Sequence, residues 1–389
     1  MTARIAAAAA LLLGFLLIWA APLAGRAVTA QPIAAYLAFP PRTTQVVHAP
    51  FSCLAFVLFA LPLVAAAALY AVALARRSPP RAGAARSFPW WGWLGLALVA
   101  LGWALAWSDF VAPAWRRHTF TPLWLGYVVT MNALALRRSG EALLSHRPGL
   151  LLALFPASAL FWWLFEHLNR FVGNWYYTGI AAASDWDYFL QGTLPFSSVL
   201  PAVASTWVWL RTYPRFEAMG TSMPKIRLAL PAGLSIALGV VALAGIGVWP
   251  QALFSFLWLA PPAVLLGLQK LLLGETLLAP LARGDWRPLL QPAAAALACG
   301  FFWELWNWGS LAQWHYAIPY VQRFHVFEMP LLGYAGYLPF GLECAVAMDL
   351  VARMLDPSRA GYCPTATFAG TDSTARPRAT HSGNPPRNQ

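Results

Sequence analysis

Two carboxylates in this sequence lie inside apolar runs and are followed by the same residue types. FWWLFEHLNRFVGNWYY, Phe161 to Tyr177, carries Glu166, Asn169, Trp175 and Tyr177; FWELWNWGSLAQWHY, Phe302 to Tyr316, carries Glu304, Asn307, Trp314 and Tyr316. A carboxyl held away from water can give or take a proton as a general acid or base. An Asn three residues on shares its helix face and can orient it, and tryptophan and tyrosine supply an apolar wall with a polar handle. The candidate catalytic residues are therefore Glu166, Glu304 and Glu343, with Asn169 and Asn307 as orienters. The candidate substrate pocket is Trp163, Trp175, Tyr177, Trp303, Trp314, Tyr316 and Glu328. A structural reading stands beside this one, in which each acid and amide joins helices by hydrogen bonds and the aromatics form an interfacial belt.

These residues are set in a chain of 389 residues, 59% hydrophobic and 10% charged, with mean hydropathy +0.56. That is too apolar and too charge-poor for a protein folded in water, and points to the lipid bilayer as its surroundings. A bilayer-crossing helix needs about 20 apolar residues. Such runs fall near 5–25, 51–75, 89–107, 121–137, 149–168, 189–210, 227–248, 253–273, 288–308 and 331–351. The expected fold class is all-α: a polytopic membrane protein of about ten transmembrane helices. The first run also has the small residues of a signal-peptide cleavage site after it, at Ala21 to Gly25, so retention and cleavage are both open for it.

Net charge +12 does not indicate nucleic acid, because the basic residues are scattered through loops without a recognition motif. Their sides differ instead. Arg4, Arg76, Arg77, Arg81, Arg86, Arg137, Arg138, Arg147, Arg211, Arg215, Lys225, Arg227, Lys270, Arg283 and Arg287 fall on one side. The alternate loops carry only Arg26, Arg42, Arg116, Arg117, Arg170 and Arg323. The positive-inside rule then places both termini in the cytoplasm. The four cysteines show no Cys-x-x-Cys spacing, and the outer histidines show no His-x-x-x-His, so neither a metal centre nor a cofactor is expected.

One offset relates Glu166 to Glu304, Asn169 to Asn307, Phe189 to Phe327 and Pro201 to Pro339, with the Trp-x-Tyr pair slipped by a single residue. The expected organisation is two N-terminal helices over 1–86, a four-helix repeat over 87–224, a second over 225–355, and a disordered polar tail over 356–389. Repeats with an even number of spans run parallel and tend to enclose a site. Both Glu-x-x-Asn motifs then fall in the outer half of the membrane. Glu343 has only Ser205 at the equivalent position and lies about 18 Å along its run, near mid-membrane; Asn307, Tyr334 and Tyr337 are its candidate partners. PLLGYAGYLPFGLEC carries Gly333, Gly336 and Gly341, which suit either close helix packing or, with Pro330 and Pro339, a broken helix opening on a cavity.

TFTPLWLGY, FWWLFEHLNRFVGNWYY and FEMPLLGYAGYLPFGLEC resemble a group of bacterial multi-span membrane proteins with no assigned activity, from about the third helix onward. The resemblance implies a bacterial inner-membrane location and supplies no mechanism. A looser likeness is to tandem-domain membrane lycopene cyclases, whose domains also carry Trp-x-Tyr; their adjacent acid pair after proline has no counterpart here. The expected function is an intramembrane enzyme or binder for an amphiphilic lipid or isoprenoid. A proton-coupled or cation transporter using Glu343 is the alternative, and a non-catalytic membrane scaffold a third.

Overall fold

The computed structural model describes residues 2–75 and 86–356. Arg76, Arg77, Arg81, Cys363 and the expected tail beyond Asp356 lie outside the described residues.

The chain is mostly helical. Its longer helices are α1 (Ala3–Val28), α2 (Cys53–Ala75), α3 (Trp90–Ala106), α4 (Phe120–Ser139), α5 (Pro148–Val172), α6 (Asp185–Phe196), α7 (Val199–Arg211), α8 (Ala232–Val248), α9 (Phe256–Leu273), α10 (Arg287–Trp308) and α11 (Tyr337–Leu355). Among the described residues, 5 helical segments are long and apolar enough to cross a membrane: α1, α2, α5, α6 taken together with α7, and α9. The helix α2 shows why lipid suits them. Only Ala73 along it is buried, while Leu54, Val57, Leu58, Leu61 and Val64 are exposed. A helix apolar on every side and exposed along most of its length needs hydrocarbon as its solvent.

The other helices bury their apolar faces on one another. α3 pairs with α4, α8 with α9, and α10 with α11, while α7 packs on α4, α5 and α10 and α1 packs on α8, α9 and α11. Polar side chains in this core close on themselves. At the end of α4, Asn132 donates to Ser205 and accepts from the Leu144 amide. At the end of α9, Gln269 donates to Asp349 and accepts from the Leu277 amide. One amide thus fastens both the next loop and the facing helix in each case, as buried polar groups require.

Two expected helices are interrupted. Run 189–210 breaks at Ser197 and Ser198, because Pro201 has no N–H for the Ser197 carbonyl and its ring crowds it. Ser158 on α5 repairs the break, donating to Phe196 O at 2.6 Å and accepting from the Leu200 amide at 3.0 Å. Run 331–351 starts not as an α-helix but as a 3-10 turn over Leu331–Gly336, with α11 following from Tyr337.

The loops after α5 and α10 are also corrected, since each contains a short strand: β1 (Trp175–Thr178) and β2 (Gln313–Tyr316). They pair antiparallel, Trp175 opposite Tyr316 and Tyr177 opposite Trp314. A second strand pair, β3 (His325–Val326) with β4 (Met329–Pro330), lies beyond them.

The two readings of the glycines before and within α11 both apply, at different places. At Gly341 a Cβ would stand 2.4 Å from Pro292 O and 2.5 Å from Ala293 Cα, so α11 rests directly on the α10 backbone. Gly341→Ala is expected to cost about 1 to 3 kcal/mol by overpacking, read as a lower thermal midpoint of the purified protein; an unchanged midpoint would show that α11 shifts at no cost. Gly333 and Gly336, by contrast, border a cavity.

Candidate functional site

The helix α5 ends at Gly173, whose φ of +62° is a left-handed turn that glycine adopts without penalty. The chain then reverses into β1. Asn169, in the last turn of α5, reaches past the helix end to clasp β1: its Nδ2 donates to Trp175 O at 2.7 Å, and its Oδ1 accepts from Trp175 N at 3.3 Å. Asn307 does the same to β2, donating to Trp314 O at 2.8 Å and accepting from Trp314 N at 2.8 Å. The two asparagines therefore hold backbone and do not touch the carboxyls they follow in sequence.

Strand alternation explains the Trp-x-Tyr spacing. Residues two apart in a strand share a face, so Trp175 and Tyr177 on β1 and Trp314 and Tyr316 on β2 all line one cavity. Tyr176 and His315, between them, meet on the opposite face with ring centroids 5.5 Å apart and planes tilted by 33°.

Glu166 and Glu304 lie behind this wall, 1% and 0% exposed. Glu166 Oε1 accepts from Trp162 Nε1 at 3.0 Å, Trp175 Nε1 at 3.0 Å and Tyr177 OH at 2.5 Å. Glu304 Oε1 accepts from Tyr316 OH at 2.7 Å and Tyr337 OH at 2.8 Å, and Tyr316 OH in turn accepts from Trp314 Nε1 at 2.9 Å. Burial, and then the neighbouring glutamate, hold the Tyr177 and Tyr316 phenols well above their ordinary range, so both remain donors. The second oxygen of each glutamate has no hydrogen-bond partner among the described residues.

The cavity encloses about 1270 Å³, its open mouth included. Besides the strand residues its walls are Trp162, Trp258, Trp303, Tyr337, Phe196 and Phe340, with Phe120 and Met329. Arg117, Gln191 and Tyr188 also line it. Arg117 donates to Gly179 O at 3.0 Å, is half-buried, and pairs with no carboxylate among the described residues.

The remaining candidates fall elsewhere. Trp163 is turned away from the cavity, donating to Thr193 at 2.9 Å and stacked on Phe189. Glu328 pairs with His315 at 2.9 Å, behind the strands. Glu343 is buried on α11, one turn beyond Phe340, and its Oε2 has no partner among the described residues. The partners expected for it are engaged otherwise: Asn307 with Trp314, Tyr337 with Glu304, and Tyr334 with Val326 O.

Sequence reasoning missed Trp162, Trp258, Tyr337, Phe340 and Arg117 as cavity residues. Trp162 carried a usable signal, lying one turn before Glu166 on the same face. Trp258 carried none, since nothing in the run of α9 distinguishes it. No family model matches the chain, and neither does any curated protein or solved structure.

Proposed function

We propose that this chain is a multi-pass membrane protein, two parallel four-helix repeats behind two leading helices, that binds an amphiphilic lipid or isoprenoid in the aromatic cavity. The observation carrying this reading is the wall itself. The indole and phenol hydrogens of Trp162, Trp175, Tyr177, Trp314, Tyr316 and Tyr337 are all directed to the carboxyls or to one another, which leaves ring surface for the ligand. Apolar walls with a few convergent polar groups are the usual make-up of a ligand site, and Arg117 offers the rim a charge for an anionic group.

On this reading Glu166 and Glu304 are positioning residues that fix the rings, and Asn169 and Asn307 fix the strands that carry them. The matching clasps and matching amide fastenings support the repeat, and the cation asymmetry supports cytoplasmic termini in a bacterial inner membrane. A reporter inserted between Asp185 and Asp187 is expected to read external and one fused after Arg359 cytoplasmic; the reverse pattern would overturn the placement of the cavity. Lipid extracted from the purified protein and identified by mass spectrometry should be enriched in one amphiphile class over the surrounding membrane. A composition equal to the membrane's would count against binding.

A transporter is favoured by one observation, the deep carboxyl of Glu343 with its unpartnered oxygen, since buried acids in spans mark ion or proton paths. Glu343→Gln should then abolish proton-linked flux in proteoliposomes. No flux with either protein would remove this second reading.

A further inference from the structure

Arg116 and Arg117 follow one another at the end of the short helix Pro113–Arg116, and their side chains meet different surroundings. Arg116 donates to Asp109 at 2.9 Å, so an acid answers its charge. Arg117 lines the cavity instead, and its Nε donates to Gly179 O at 3.0 Å. That carbonyl is fixed by the chain around it: Gly179 has a φ of +71° just beyond β1, and a Cβ there would run into Leu311 O, so glycine is required. Gly179 O is the one acceptor that the Arg117 side chain has among the described residues. The guanidinium is thus anchored at one nitrogen, with both terminal nitrogens left over.

The polar groups beside it are donors as well. Tyr188 and Gln191 lie three residues apart on α6, hence on one face, and both line the cavity. The Tyr188 hydroxyl has no hydrogen-bond partner among the described residues, and Gln191 donates one amide hydrogen to Ala181 O at 3.1 Å, which leaves the second. Acids are kept off this wall. Asp185 pairs with Arg42 at 2.7 Å and Asp187 accepts from the Ala183 amide at 2.8 Å, and no aspartate or glutamate lines the cavity among the described residues. Glu166 and Glu304 stand behind the rings they hold.

We propose that the cavity takes an amphiphile headed by a phosphate monoester, with the phosphate at Arg117 and Tyr188 and the hydrocarbon chain along the rings of Trp162, Trp258 and Phe196. The proposal rests on the lipid-binding reading and names the head group. With Nε engaged, the two terminal nitrogens form an end-on pair for two phosphate oxygens, the bidentate arrangement in which arginine binds oxyanions most strongly. The third oxygen is left for the Tyr188 hydroxyl or the free Gln191 hydrogen. A fatty carboxylate has no third oxygen, and beside apolar rings it takes up a proton more readily than a phosphate does.

The test is a binding series on the whole protein in an uncharged alkyl maltoside, using alkylphosphate, the alkanol of the same chain, and inorganic phosphate. Alkylphosphate should bind about tenfold more tightly than the alkanol, the factor given by ~1.4 kcal/mol for hydrogen bonds to a charged group. Arg117→Gln should bring alkylphosphate down to the level of the alkanol and leave alkanol binding unchanged. Because net charge +12 attracts any anion and one substitution barely alters that field, this variant separates the site from the surroundings. Tyr188→Phe, which breaks no hydrogen bond among the described residues, should weaken alkylphosphate alone by a smaller factor, and it gives the same answer should the glutamine variant fail to fold. Equal binding of alkylphosphate and alkanol overturns the phosphate assignment and leaves the lipid reading standing. So does a preference that both variants retain, and so does inorganic phosphate binding as tightly as alkylphosphate, which would mark a free-anion site. Binding of none of the probes overturns both readings.

Discussion

Glu166→Leu is expected to lower the stability of the folded protein by about 3 kcal/mol or more, at roughly 1 kcal/mol or more for each buried donor left without an acceptor. Three such donors depend on one oxygen: Trp162 Nε1, Trp175 Nε1 and Tyr177 OH. Glu166→Gln keeps an acceptor at that place and should cost far less. Thermal unfolding followed by tryptophan fluorescence separates the two, and because the affected rings form the cavity wall, ligand affinity should fall with stability in the leucine variant. Equal midpoints for leucine and glutamine would mean that the carboxyl does not organise the wall.

The second large effect is expected at Asn307. Asn307→Leu removes both bonds to Trp314, stranding its N–H and its C=O, at about 2 kcal/mol or more for the pair. Asn307→Asp should be nearly as harmful, because it retains the acceptor and turns a second oxygen against the Trp314 carbonyl. Hydrogen exchange at the β2 amides is the sensitive readout: both variants should lose protection at Trp314 and Tyr316 while the cores of α10 and α11 keep theirs. Full protection in the aspartate variant would show that the side-chain donor is dispensable.

These two residues also show how far the sequence could be read. The Glu-x-x-Asn and Trp-x-Tyr spacings pointed to residues that the fold gathers at one cavity, since two acids in apolar runs with identical followers are conspicuous. The roles inside the motif were not legible. A spacing of three suggested that Asn serves Glu, yet the Asn side chain turns to the backbone six or seven residues on. That choice depends on the chain reversing after Gly173 and Gly309. Pairing of β1 with β2 was hidden for a related reason, because four-residue strands far apart in the chain leave only an alternation that an aromatic belt would also produce. The apolar runs located the helices well, with errors where local chemistry breaks a run, as at Pro201 and at Pro330. Trp258 and Phe340 became cavity residues only through the way α9 and α11 cross α5 and α10, a tertiary fact with no local signature.

The measurement that bears most directly on the central claim is native mass spectrometry of the protein released from mild detergent, compared with Gly336→Leu. Gly336 borders the cavity in ordinary helical backbone, and a Cβ there would stand 3.3 Å from the Trp258 ring nitrogen. A leucine at this position would therefore extend into ligand space, its Cβ alone asking Trp258 to give by a few tenths of an ångström. One tightly held amphiphile is expected on the unsubstituted protein, and its loss from the folded variant. An identical bound mass on both, or none on either, would contradict it.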